Sequence, residues 1–267
     1  QGLAAKEKEE YQKRHWFHLV ESLARQIKDA TLFEKTRIAS WGKLSTAACV
    51  DIAQVYLESG DARTSLNWLE QIPENETFQA HEKDRLLLDI FGQLGETAKK
   101  TTVAWRIFKR HRSKDSLQGL LCVIGEDQKE AVIAGETGMI LSEKTLSLSD
   151  AAFLFDLGRI DEAETYLLDR VEQLNGDYYV SLLPLAEAME TAERHLAATV
   201  VYRALLDSIL RRGQTKTYPH GIRYLKKLDR LAKLIPNWRD INDHNTYVEK
   251  IRQMHGRKTS FWSRYKN

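Results

Sequence analysis

Apolar positions recur at three- and four-residue spacing along most of this chain, the period of a helix that buries one face. In "GIRYLKKLDRLAKLI" the apolar stripe is Ile222, Leu225, Leu228, Leu231 and Ile235. The apolar helices are broken by short turns. "VYLESGDARTSLNWL" turns at Gly60, "DIFGQLGETAKKTTVAWRIF" at Gly95, "LLCVIGEDQKEAVIAG" at Gly125 and "FLFDLGRIDEAETYLL" at Gly158. "AEAMETAERHLAATVVYRALL" turns near Glu190 without a glycine. The intervals are 35, 30, 33 and 32 residues, close to the repeat lengths of helix-pair arrays. Glycine at the first four turns suits a helix C-cap, where the backbone turns left-handed and a β-carbon costs energy.

Each unit reads as an apolar helix, a tight turn and a second amphipathic helix. The run from Gly158 to Tyr166 resembles the second half of a tetratricopeptide unit, with small Ala163 allowing close helix approach and Tyr166 filling the groove beside it. Gly60-Asp61 with Leu66 and Trp68 is similar, although the first helices lack the full pattern. A hairpin of this kind cannot bury both faces alone, so stacking is expected. The fold class expected is all-α: a right-handed α-solenoid of tetratricopeptide-like hairpins with a helical C-terminal cap. Residues 1–40 form an N-terminal helical segment that reads as a helix already in progress, continuing from something upstream. Residues 41–213 are the hairpin repeats, and 214–267 the basic cap.

Composition supports this reading. Four prolines and 14 glycines in 267 residues leave little to interrupt helix. Cys49 and Cys122 stand far apart in apolar contexts, neither a disulfide framework nor paired zinc ligands, and read as small buried hydrophobes in a reducing compartment. No apolar run reaches membrane-spanning length and no signal peptide opens the chain, so the expected location is the cytoplasm, with no membrane partner. The net charge of +2 hides an asymmetry: from Arg203 onward 16 Lys and Arg face 5 Asp and Glu, whereas the rest carries 24 against 33. An acidic body thus ends in a basic segment.

Two features of that segment are candidate binding elements. Arg223, Lys226, Lys227, Arg230 and Lys233 fall within an arc of roughly 120° on a helix, although Leu234 intrudes. Such a face is either a solvated surface or a footprint for phosphates or an acidic protein. The closing "HGRKTSFWSRYKN" mixes cations with aromatics. It reads first as a plug for the open end of the repeats, with Phe261 and Trp262 in the core and Arg257, Lys258 and Arg264 outside. The alternative is a platform on which single-stranded bases stack.

The stretches "YRALLDSIL", "YPHGIRYLKKL" and "HGRKTSFW" carry a resemblance. Residues of about 180–265 are similar to a bacterial family catalogued as a domain of unknown function, related to helical segments of some proteins with SWIM-type zinc fingers. The resemblance implies a bacterial, cytoplasmic, helical protein and no activity. The Cys-x-Cys and Cys-x-His pattern of the zinc finger is absent.

Phosphate-cradling, dinucleotide and nucleophile-elbow motifs are likewise absent from the sequence. His15, His18 and Glu21 share a helix face but nothing marks a fourth ligand, so packing beside Trp16 and Phe17 is the preferred reading. His220 and His255, next to glycines at helix ends, read as stabilisers of helix termini. No nucleophile, base and stabiliser come together in sequence, so the chain is not expected to be an enzyme, and no cofactor or metal is expected. The function expected is a non-enzymatic scaffold that binds another protein. The alternative is a nucleic-acid-binding accessory protein using the basic C-terminal region.

Overall fold

A computed structural model describes the backbone of residues 2–41 and 44–266, and the side chains of 12–40 and 44–265. The N-terminal segment is therefore described from Gly2. The chain is 78% helical, far above the usual third, with no strand among the described residues. It divides into two compact units, one of residues 1–111 and 116–126, the other of residues 112–115 and 127–267.

The first unit contains α1 (Gly2–Gln26), α2 (Ala30–Trp41), α3 (Thr46–Glu58), α4 (Ala62–Glu70), α5 (Ala80–Gln93), α6 (Thr97–Arg110) and most of α7 (Lys114–Ile124). Helices α1 with α2, α3 with α4, and α5 with α6 pack as neighbouring pairs. Leu66, Leu69, Ile90, Phe91 and Val103 form much of one core, and Phe33, Ile52, Val55 and Tyr56 belong to another. Fully buried Ser65 donates from Oγ to the Ala53 carbonyl at 2.6 Å, which ties α4 to α3.

The second unit contains α8 (Lys129–Ser142), α9 (Leu148–Asp156), α10 (Ile160–Leu168), α11 (Tyr179–Thr191), α12 (His195–Arg212), α13 (Tyr218–Leu231), α14 (His244–His255) and α15 (Thr259–Lys266). Helix α12 is its centre, packed by α10, α11 and α13 and buried over most of its length. Ala163 and Tyr166 of α10 are fully buried, as their spacing predicts. The Tyr166 hydroxyl donates to the Thr145 carbonyl at 3.2 Å and accepts from the Ser147 amide at 2.9 Å, so its ring ends in a satisfied polar tip.

One turn recurs in both units. Asp29, Asp61, Glu96, Arg159 and Arg194 each donate a backbone N–H to the carbonyl five residues earlier, at 2.8 to 2.9 Å. The residue before each has positive φ: Lys28, Gly60, Gly95, Gly158 and Glu193. This is the six-to-one bond that closes a helix through a left-handed residue. Gly125 also has positive φ, at 105°. The turn expected near Glu190 thus lies at Glu193, because α11 continues to Thr191. Lys28 marks a further turn for which no glycine is present. Both tolerate the left-handed backbone at a cost that glycine avoids.

Candidate functional site

The basic helix forms as its apolar stripe requires. Pro219 stands in the first turn of α13, and Ile222, Leu225, Leu228 and Leu231 are buried. Arg223, Lys226 and Arg230 are exposed on α13, and Lys233 is exposed in the short 3-10 turn that follows. Lys227 departs from the expected free face. Its ammonium pairs with the Glu190 carboxylate of α11 at 2.5 Å and lies 5.0 Å from the Tyr202 ring centroid. The arc of basic residues reaches the flank where α11 and α12 pack, and Lys227 is the member that meets a partner there. Arg223 is also engaged, with its guanidinium 3.2 Å from His220 Nδ1 and stacked beside the Tyr224 ring.

Burial pulls the Glu190 carboxyl up, but hydrogen bonds from Lys227 and Tyr202 outweigh it and leave the group below its ordinary 4.5. A depressed carboxylate contributes stability above its unfolded pKa, and that contribution fades as pH falls through the folded value. The stability difference between wild type and Glu190→Gln is therefore expected to be largest near neutrality and to shrink below about pH 4.5. Denaturant titrations across that range check it. Exposed Lys226 and Lys233 behave differently: charge reversal of both is expected to change stability by about 0.5 kcal/mol or less each, measured by urea unfolding.

The closing segment is a helix, α15, packed on α13. Phe261 is fully buried, edge-on to Tyr218 at 5.5 Å. Gly221 makes room for it, since a β-carbon there would meet the Phe261 ring at 3.1 Å. Trp262 is only half-buried, a correction to its expected place in the core. It stands beside Phe261 and Tyr265, carries the Arg252 guanidinium 5.2 Å from its ring centroid, and donates from Nε1 to the His255 carbonyl at 3.0 Å. Tyr265 donates to Asp229 of α13 at 2.7 Å. Burial and this acidic partner push the Tyr265 hydroxyl up to about 12. The aromatics are thus committed to holding α15 on the fold. Arg257 and Arg264 are exposed. Half-buried Lys258 lies at the C-terminal end of α12, its ammonium 3.0 Å from the point where a Gly213 β-carbon would stand. A cation there complements the helix dipole.

His15 and His18 are exposed on α1, whereas Glu21 is buried and faces α2, 3.4 Å from Arg37. Among the described residues no three His, Cys, Asp or Glu side chains gather to hold a metal, and no helix is long and apolar enough to cross a membrane.

Arg203 is a further candidate that no sequence motif marks. Buried in α12, it donates from Nη1 to the Asn242 carbonyl at 2.7 Å and lies 5.0 and 4.4 Å from the ring centroids of Trp238 and Tyr247. Nε and Nη2 have no hydrogen-bond partner in the fold. Desolvation pulls its guanidinium down to about 10, so it remains charged at neutral pH. Asp207, one turn on, accepts the Tyr247 hydroxyl at 2.7 Å. Asp207 is exposed, and the desolvation its neighbours impose raises its pKa against the Tyr247 hydrogen bond and the charges of Lys250 and Arg203. In sequence Arg203 is one cation among many in an amphipathic helix, and no local signal separates it from a surface arginine.

Residues 3–264 match a family described as a family of unknown function, DUF6880. The chain belongs to that family. The match spans the hairpins as well as the basic end, well beyond the stretches of about 180–265 that carry the resemblance. No curated protein and no solved structure matches the chain.

Proposed function

We propose that the chain is a non-enzymatic scaffold that binds another protein, its hairpins stacking as a tetratricopeptide-like solenoid, and that it works in the cytoplasm. The observation that carries this reading is the outer face of α1. Trp16, Leu19 and Leu23 recur there at helical spacing, with Ile27 one turn further on, and they are 66, 43, 53 and 58% exposed. Covering a large apolar side chain fully is worth about 1.5–3 kcal/mol, so an exposed stripe of four is a strong place for a partner to dock. The repeated hairpin turn supports an array of like units, each presenting a helix face.

The test is capture from cells of the native host with wild type and with Leu19→Asp/Leu23→Asp. A protein retained in stoichiometric amount by wild type and lost by the variant, with unchanged circular dichroism, is the expected result. Equal capture by both removes α1 as the docking face. Recovery of nucleic acid that Lys226→Glu/Lys233→Glu abolishes, with affinity falling steeply with salt, favours the nucleic-acid reading instead.

A further inference from the structure

A depression of about 470 Å³ in the second unit lies along the contact between α12 and α14, where Tyr247 bonds Asp207, and is also lined by Asp169 and Glu172. Arg203 and Asp207 of α12 stand one turn apart on one side, and Tyr247 and Lys250 of α14 on the other. Asp240 and Asn242 of the loop before α14 close one end. No direct ion pair joins Arg203 to Asp207, although the charges of Arg203 and Lys250 both act on the Asp207 carboxyl. Arg203 is 93% buried, and its one hydrogen bond to the fold ends on a neutral carbonyl. Asp207 is bonded to Tyr247 rather than to a cation. Lys250 and Asp240 are exposed and make no ion pair among the described residues.

We propose that this depression binds a small zwitterion of the α-amino-acid class, its carboxylate on Arg203 and Lys250 and its ammonium on Asp207 and Asp240. This goes beyond the scaffold reading and does not rest on it. A buried guanidinium with two unsatisfied nitrogens is costly, and a carboxylate repays that cost by a forked, charge-assisted bond. The acidic side chains disfavour a plain anion and fit a ligand that also carries a positive charge. The unpaired nitrogens are closed from solvent, so a carboxylate engages them only once the groups packed around the guanidinium, Trp238 and Asn242 of the loop among them, give way. That loop includes Arg239, a non-glycine residue at φ 49°, so its backbone already holds a conformation that costs energy.

The test uses the whole chain and a panel of free L-α-amino acids at millimolar concentration, read by thermal shift and calorimetry. At least one member is expected to raise Tm, as a ligand specific to the folded state must. Its methyl ester, lacking the carboxylate, and its deaminated analogue, lacking the ammonium, are expected to bind at least about tenfold more weakly. Lys250→Ala, an exposed change that leaves the fold intact, is expected to weaken binding to a similar degree. Arg203→Met without ligand is expected to keep or raise Tm, since removing an under-paired buried charge relieves its desolvation. The proposal is overturned if no panel member shifts Tm. It is equally overturned if Lys250→Ala binds as wild type does, or if Arg203→Met unfolds the protein and so marks Arg203 as a structural tie to Asn242. An N-acetyl amino acid that binds as tightly as the free one also overturns it, and identifies the ligand as a carboxylate alone.

Discussion

Phe261→Ala is expected to cost about 3–5 kcal/mol, the range for truncating a large aromatic side chain in a core. Phe261 is fully buried between α13 and its own helix, and the space beside Gly221 is already filled by Ile209 and Leu206. Those neighbours have little freedom to collapse into the void, which places the cost toward the upper end. Trp262→Ala removes a half-buried ring and one hydrogen bond, so roughly half that cost is expected. Urea unfolding, followed by a probe in the second unit, measures both. An unchanged midpoint for Phe261→Ala would show that α15 is not docked in solution, and the aromatics would then be free to contact a partner.

Arg112→Met is expected to be comparably severe, again about 3–5 kcal/mol. The Arg112 side chain is only 10% exposed and pairs with Glu136 at 2.9 Å and Asp150 at 3.2 Å, whose side chains are 5 and 7% exposed. Burial lowers the arginine's pKa, but the hydrogen bonds and charges of these two carboxylates outweigh it and raise the group above its usual value. Removing the cation strands two buried carboxylates together. The discriminating control is Arg112→Met/Glu136→Leu/Asp150→Leu, which removes the cation and both buried carboxylates, leaves only the exposed Glu143 of its partners, and is expected to recover much of the loss. If the single variant unfolds at the wild-type midpoint, the three groups are hydrated in solution and the network contributes little.

Much of the fold was legible because it rests on local physics. The left-handed turns at Gly60, Gly95, Gly125 and Gly158 stand where glycine announced them, since only glycine adopts that backbone without strain. The turns at Lys28 and Glu193 are not legible for the same reason: an ordinary side chain occupies a left-handed position that glycine would have marked. The stripe of α13 was legible from its period, because apolar residues one helical turn apart must share a face. Within the candidate site Lys226 and Arg230 are exposed on α13, whereas Lys233, placed on the same helical arc by its spacing, lies exposed in the 3-10 turn beyond the helix end.

The sequence by itself determined helix, turn and amphipathic face, because hydrophobic period and left-handed caps are properties of residues within a few positions of one another. Only the tertiary structure decided which charges are spent on the fold and which are left over. Lys227 and Lys226 are neighbours of identical chemistry, yet one meets Glu190, 37 residues away, and the other meets solvent. Arg203 and Arg112 look like surface cations in sequence. The first is closed in by Trp238 and Tyr247 with two nitrogens unsatisfied, whereas the second is neutralised by carboxylates from α8 and α9. The fate of a charge depends on the dielectric around it and on the partner that packing delivers, and both are set by residues far away in the chain.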